Sequence, residues 1–142
     1  MLYYIPEHFR IEELVPPSLF HTFRDKHYIL WQQFSPYALY TLDQLREKFG
    51  LATINDWLWG GSYMQSGLRT PESEYYSPTS QHTHARAFDL KWEDINYPAI
   101  RQYILVNPDK FLYLTCIEAD TPTWLHFDCR NWDKKNKGIL VV

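Results

Sequence analysis

The sequence predicts an α+β fold with a small antiparallel sheet and flanking helices. Two stretches of helical length carry an apolar stripe, and several short runs are rich in β-branched and aromatic residues. The 142 residues suffice for one hydrophobic core, and no internal repeat marks a second unit. We therefore expect residues 1–142 to form one domain, with a lead-in over residues 1–35 and a core over residues 36–131. Residues 132–142 would be a C-terminal tail or an edge strand.

The lead-in is expected to contain two short helices. Residues 9–15 predict the first, which Pro16 and Pro17 would stop. Residues 28–33 predict the second.

Two longer helices have local start and stop signals. Ser35 is a suitable N-cap for a helix over residues 36–49, and Gly50 is a natural C-terminal stop. A second helix should begin near Asn96 and end at residues 107–108, where Asn is followed by Pro. Both helices should pack one apolar face on the core.

β-Propensity predicts the strands, which in chain order are residues 57–59 with 63–64, 87–90, 111–118, 123–129 and 139–142. Residues 119–122 predict a turn, so the strands at residues 111–118 and 123–129 should form a hairpin. Alternation then puts Trp124, His126 and Asp128 on one face of the fourth strand. A polar set of this kind is unusual for a plain core strand.

Composition and charge argue against nucleic-acid and membrane partners. The formal net charge is −3 and no Lys/Arg run forms a basic patch, so we expect no nucleic-acid partner. No apolar stretch could span a bilayer, which predicts no membrane partner. Residues 1–7 lack the pattern of a signal peptide, which predicts a cytoplasmic location in the producing cell. Cys116 and Cys129 are expected to be buried free thiols.

Residues 80–89 concentrate side chains that bind metals. His82, His84 and Asp89 lie within ten residues, and His126 follows on a predicted strand. Two His and one carboxylate are a common ligand set for catalytic zinc, with a fourth position left open. The spacing alone does not choose between His82 and His84, since two His at i and i+2 can share a strand face.

The combined motif resembles that of a known peptidase family. Its two parts are Ser80-x-His82-x-x-Ala85-x-Ala87-x-Asp89 and Trp124-x-His126-x-Asp128. They resemble the zinc peptidases of the D-alanyl-D-alanine carboxypeptidase type, whose superfamily includes vancomycin-resistance dipeptidases, phage L-alanyl-D-glutamate endopeptidases and the hedgehog signalling domain. Residues 66–71 resemble the segment before the family's first zinc ligand. The similarity covers about residues 9–131 and implies the hedgehog/D-Ala-D-Ala peptidase fold.

The resemblance implies a role for each matching residue. His82, Asp89 and His126 become the Zn²⁺ ligands, and His84 becomes a neighbour. Arg69 becomes the catalytic residue that binds and polarises a substrate carbonyl or carboxylate.

Two further residues lie next to the implied zinc ligands. Asp128 would orient His126 from outside the ligand set, and Ser80 opens the motif next to His82.

Two positions depart from the family pattern. Many members carry an acid three residues before the last His, where this chain has Thr123. The nearest upstream carboxylates are Asp120 and Glu118, and Asp120 resembles the hedgehog placement, so we predict Asp120 as the catalytic acid/base. Ala85 stands where the family commonly has Gly, so a positive φ there would strain the backbone.

The resemblance implies a zinc metallopeptidase that hydrolyses a bond in the peptidoglycan stem peptide. A phage endolysin or a virion-associated lysin fits the small size, with the bacterial cell wall as the place of action and other virion proteins as further partners. The alternative is a non-catalytic virion, tail or peptidoglycan-binding protein that reuses the fold. The missing acid at Thr123 and the exposed-looking aromatics Tyr75, Tyr76, Trp92 and Trp132 motivate this alternative.

Overall fold

The computed structural model describes residues 1–142 and is a mixed α+β fold. The α-helices are α1 Pro17–Thr22, α2 His27–Trp31, α3 Pro36–Phe49, α4 Tyr97–Val106 and α5 Lys134–Lys137. The strands are β1 Ala87–Leu90, β2 Cys116–Ile117, β3 Leu125–Asp128 and β4 Leu140–Val141. Short 3-10 helices cover Ile11–Glu13, Trp57–Trp59 and Pro108–Phe111.

The four strands form one sheet in the order β1-β3-β2-β4. β3 pairs antiparallel with both β1 and β2, whereas β4 pairs parallel with β2. The sheet is therefore mixed, and the prediction of a purely antiparallel sheet was wrong. Helix α5 lies between β3 and β4, which lets the chain return to the sheet edge in the same direction as β2.

Both long helices are confirmed. α3 begins after Ser35, whose Oγ accepts a hydrogen bond from the backbone N of Ala38, and ends at Gly50 with φ 92°. α4 begins after Asn96, whose side chain accepts from the N of Ala99. These caps are local, so the sequence was sufficient to place them.

The lead-in differs from its prediction. Residues 9–15 contain only the 3-10 helix Ile11–Glu13, and α1 begins at Pro17, because Pro is favourable at the first helical position. The carbonyl of Leu14 accepts a hydrogen bond from the N of Leu68 at 2.9 Å. A Cβ at Gly67 would lie 2.1 Å from that carbonyl oxygen, so only Gly allows this close approach. The lead-in thus positions the loop before the metal-binding motif.

The predicted strand at residues 57–59 is instead the 3-10 helix Trp57–Trp59. Turn chemistry outweighs the β-propensity of these aromatic residues. The carboxylate of Asp56 accepts from the N of Tyr63, and its carbonyl accepts from the N of Gly61. Gly60 takes a positive φ of 89°, which ends the short helix.

The predicted strand at residues 111–118 is reduced to β2. Its first part belongs to the 3-10 helix Pro108–Phe111 and the turn that follows. The Lys134 ammonium donates to the carbonyls of Pro108, Phe111 and Leu112, which holds this segment away from the sheet. β2 and β3 still pair antiparallel as predicted, but over fewer residues.

The two faces of β1 and β3 differ in character. Their apolar side chains, Phe88, Leu90, Leu125 and Phe127, are fully buried in the main core. Phe88 stacks on Phe34 with ring centroids 5.7 Å apart. The opposite face carries the candidate metal ligands.

Both cysteines are free thiols, with Cys116 buried and Cys129 half-buried. Burial raises the pKa of each thiol to about 12. Trp92 is buried, whereas Tyr75 and Tyr76 are exposed. None of the helices combines the length and apolar character needed to cross a membrane.

Candidate metal centre

One row of side chains across the sheet forms the centre of the site. Asp89 of β1 lies opposite His126 of β3. On the other side of β3, the register continues from Ile117 to Glu118, whose N donates to the His126 carbonyl at 3.4 Å. His82 enters from the turn that precedes β1. Strand pairing thus brings together Asp89 and His126, which are 37 positions apart in the chain.

Three ligand atoms converge in this row. The Nε2 atom of His82 lies 3.2 Å from Nδ1 of His126 and 3.3 Å from Oδ1 of Asp89. Nδ1 of His126 lies 2.9 Å from the same Oδ1. Tetrahedral zinc with ligands at about 2.0–2.1 Å requires ligand atoms about 3.3 Å apart. The buried His82–Asp89–His126 group could therefore hold a metal ion with little rearrangement.

The outer nitrogens of both imidazoles are fixed by acceptors. Nδ1 of His82 donates to the Gly67 carbonyl at 2.8 Å, and Nε2 of His126 donates to Oδ2 of Asp128 at 3.2 Å. These bonds set the tautomers, so that Nε2 of His82 and Nδ1 of His126 present lone pairs to the centre. Hydrogen bonding of the second ring nitrogen is typical of metal-binding His.

The electrostatics of the cluster favour a cation. Two lone pairs and one carboxylate oxygen face each other, so a proton or a metal ion must lie among them. Burial alone would lower the pKa of His126, but hydrogen bonds with Asp128 and Asp89 raise that pKa to about 9. Burial alone would raise the pKa of Asp89, but His82 and His126 hold that pKa far below its usual range. Asp89 is therefore ionised and available as a ligand.

Asp128 is held in place by Arg130. It is completely buried, and Nε and Nη2 of Arg130 donate to its two oxygens at 2.8 and 2.6 Å. Burial alone would raise the pKa of Asp128, but Arg130 and His126 together lower it. Asp128 therefore remains charged and keeps the His126 ring oriented.

The turn before β1 distinguishes His82 from His84, which the spacing alone did not do and for which the resemblance implied His82 as the ligand. Oγ of Ser80 accepts from the N of His82 at 3.3 Å, which stabilises the turn. His84 is exposed, and its Nε2 donates to the Pro78 carbonyl at 3.0 Å, outside the cluster. Ala85, at the position where the resembled family commonly has Gly, has φ 52°, a left-handed conformation that favours Gly.

Arg69 lies beside the ligands. Its Nη2 donates to Oδ2 of Asp89 at 3.1 Å, and its Nε donates to the Gln65 carbonyl at 2.7 Å. Nη1 makes no hydrogen bond within the protein, so it is free for a ligand of the cavity. Arg69 therefore both supports a metal ligand and faces the space in front of it.

Of the carboxylates that line the cavity, Glu118 is the one outside the ligand set. Its Oε1 lies 3.9 Å from Nδ1 of His126, and it lines the cavity. Asp120, predicted as the acid/base, is exposed in the turn before β3 and does not line the cavity. A four-residue turn would have put Glu118 opposite Thr123, but β3 begins only at Leu125. The longer loop shifts the register and brings Glu118 opposite His126.

A polar cavity of about 320 Å³ opens in front of the ligands. Its lining residues are Arg69, Thr79, Ser80, Gln81, His82, Asp89, Glu118, Trp124, His126 and Arg130. A second groove of about 560 Å³ shares Arg69, Asp89 and Trp124 with it and extends to Lys91. Burial lowers the pKa of Lys91 to about 8, so this ammonium is still mostly protonated at pH 7.

Comparisons of the chain with protein-family models, with curated proteins and with solved structures found no match. A buried group that could hold a metal, an open polar cavity, a nearby carboxylate and a guanidinium are groups that metal-assisted hydrolysis can use.

Proposed function

We propose that this protein is a zinc metallopeptidase that hydrolyses a peptide bond in the peptidoglycan stem peptide. The convergence of His82, Asp89 and His126, with the outer imidazole nitrogens already fixed, is the observation that carries the proposal. Two imidazoles, one carboxylate and an open side suit catalytic zinc. The stem peptide as substrate rests on the resemblance of the two-part motif to the D-alanyl-D-alanine carboxypeptidase type.

Zinc at these three residues would supply a Lewis acid that polarises the scissile carbonyl and lowers the pKa of a water molecule. We propose Glu118, in place of Asp120, as the general base and general acid. Its carboxylate is close to the ligands at the cavity, where it can accept a proton from the attacking water and donate it to the leaving amine.

Arg69 is proposed to orient the substrate. Two of its nitrogens are anchored on Gln65 and Asp89, which fixes the plane of the guanidinium. The free Nη1 can then bind a substrate carbonyl or carboxylate oxygen without a large loss of side-chain freedom.

The direct test is the zinc content and hydrolytic activity of the purified protein. We expect about one zinc per chain and the release of new amino groups from isolated peptidoglycan. His82→Ala should abolish both. Zinc-loaded wild-type protein that leaves peptidoglycan and synthetic stem peptides intact would overturn the proposal of an enzyme.

Two carboxylate variants test the general base and general acid. Glu118→Gln should retain zinc and lose about 100-fold or more in hydrolysis, since proton transfer by a positioned side chain contributes about 10²–10⁴-fold. Asp120→Asn should retain both zinc and activity. The opposite pattern would return the proton-transfer role to Asp120.

The second candidate is a wall-binding or virion structural protein without catalysis. The exposed rings of Tyr75 and Tyr76 favour it, because exposed aromatic side chains often mark binding surfaces. Sedimentation with peptidoglycan without new amino groups, or stable assembly in virions with no effect of His82→Ala on infection, would support this candidate. For either function we place the protein at a bacterial cell wall, as a free lysin or a virion component.

A further inference from the structure

The groove next to the metal centre continues along the same face of the sheet. Asp89 pairs with His126, and extension of the register by two residues puts Lys91 opposite Trp124. Positions i and i+2 of a strand point to the same face and are separated by about 6.6 Å. Lys91 therefore lies one side-chain row beyond the ligand row, at a distance that about two residues of an extended peptide would span.

The ammonium of Lys91 forms no ion pair with a carboxylate, and the charges of Asp89 and Asp56 act on its pKa only through space. Its Nζ donates to Oγ of Ser66 at 2.7 Å and contacts the Asp89 carbonyl at 3.3 Å. It also lies 4.3 Å from the centroid of the Tyr63 ring. No carboxylate oxygen lies within ion-pair distance of it, although the side chain is half-buried. A desolvated cation without a counter-ion is unfavourable unless a ligand supplies the charge.

The remaining residues of the groove suit an anionic peptide segment. Arg69 lies at the junction of this groove with the metal cavity, where it pairs with Asp89. The acids that line the groove are Asp89, which is engaged by Arg69 and the imidazoles, and Glu74, which is exposed. The rings of Tyr63 and Tyr75 supply apolar walls. Lys91 therefore supplies the unpaired positive charge inside the groove, whereas the unengaged acid, Glu74, lies at its solvent side.

We propose that Lys91 recognises a substrate carboxylate, within two residues of the scissile bond, in a subsite formed by Ser66, Tyr63 and Trp124. This inference rests on the proposed peptidase function and names the class of peptide that the site prefers. A peptide whose carboxylates are converted to carboxamides lacks the charge that Lys91 would neutralise.

The test compares a synthetic stem peptide with the same peptide in which the side-chain carboxylates within two residues of the scissile bond are replaced by carboxamides and the C-terminal carboxylate is kept. Binding to the zinc-loaded protein is measured by calorimetry, and cleavage is measured separately. Wild-type protein should bind the acidic form about tenfold more tightly, because a charge-assisted hydrogen bond is lost with the amide. Lys91→Met should reduce this ratio to near one, mainly through binding and KM, and Lys91→Arg should keep most of it.

Lys48→Met is the matched control. The Nζ atom of Lys48 also lies over a tyrosine ring, 4.7 Å from the Tyr103 centroid, but outside the metal cavity and the groove. This variant should keep the wild-type ratio. Zinc content confirms that each variant is folded at the site, and Lys91→Gln, which keeps a hydrogen-bond donor, replaces Lys91→Met if the latter loses zinc.

The outcomes separate this inference from the proposed function. Cleavage with equal preference for both peptides, or a preference that survives removal of the Lys91 charge, would overturn the role of Lys91 and leave the peptidase proposal standing. Binding with a Lys91-dependent preference but without cleavage would support the subsite and count against the peptidase. Absence of binding to both peptides would overturn the inference.

Discussion

The two faces of β1 and β3 are buried to almost the same degree but carry entirely different side chains. Phe88 and Phe127 on one face are 0% exposed, while His126 and Asp128 on the other are 4% and 0% exposed. The apolar face gains free energy by leaving water, whereas the polar face loses hydration that only hydrogen bonds and charge pairing can replace. Burial therefore has different consequences on the two faces. The apolar face should determine whether the chain folds, and the polar face should determine whether it binds metal.

His126→Ala should give the largest effect and act only on the polar face. It removes one of three ligands and leaves the apolar face intact, so we expect loss of stoichiometric zinc while the metal-free protein still folds cooperatively. Zinc per chain after gel filtration and urea unfolding in the presence of a chelator measure the two effects. Full zinc content in this variant would contradict the assignment of the centre.

Phe127→Ala changes the adjacent residue on the opposite face and should act on folding. Truncation of a buried Phe typically costs about 3–5 kcal/mol, because a cavity remains. We expect that loss in the free energy of unfolding, measured with chelator present. The folded fraction should still bind zinc near one per chain, and Phe127→Leu provides a milder version if Phe127→Ala is unfolded. Loss of zinc without loss of stability would show that the two faces are not separable in this way.

Asp128→Asn should weaken zinc binding without removing a ligand. The amide no longer carries the charge that orients His126 and pairs with Arg130, and changes to such supporting residues typically cost about 10–100-fold in metal affinity. Competition with a chromophoric chelator measures the affinity. Asp133→Asn is the control, since Asp133 caps α5 outside the site. An affinity within twofold of wild type would mean that Asp128 serves the fold alone.

Ala85→Gly and Ala87→Gly form the pair with the smallest effects. Both remove a buried methyl group, at about 0.8 kcal/mol, and both add backbone freedom to the unfolded chain. Only at Ala85, with φ 52°, does Gly relieve a left-handed conformation that costs about 1–2 kcal/mol for other residues. We expect Ala85→Gly to be near neutral and Ala87→Gly to be less stable than it by about 1–2 kcal/mol, by thermal and denaturant unfolding. Equal losses would show that the turn is not strained.

The sequence alone determined the features that depend on near neighbours. Helices α3 and α4 follow from caps within a few residues of their ends. The alternation in β3 correctly put His126 and Asp128 on the face opposite Phe127, because the strand period is a local property. A set of two imidazoles and one carboxylate was visible for the same reason: the ligand types lie within short motifs.

The features that the sequence left open or assigned wrongly depend on contacts between distant segments. The spacing alone did not choose between His82 and His84, whereas the resemblance implied His82. In the structure, the positive φ of Ala85 and the Gly67 carbonyl, which the lead-in positions through Leu14, separate the two residues. The position of Glu118 required the true start of β3, which no local propensity fixes.

Contacts outside the predicted strands also explain why two of these strands do not form or are shortened. Trp57–Trp59 and the segment before β2 have strong β-propensity, yet neither forms a strand. The Asp56 carbonyl accepts from the N of Trp59, and the Lys134 ammonium donates to the Phe111 carbonyl. Side-chain type sets which chemistry is available, but the pairing of backbone groups over long sequence separations sets which atoms meet.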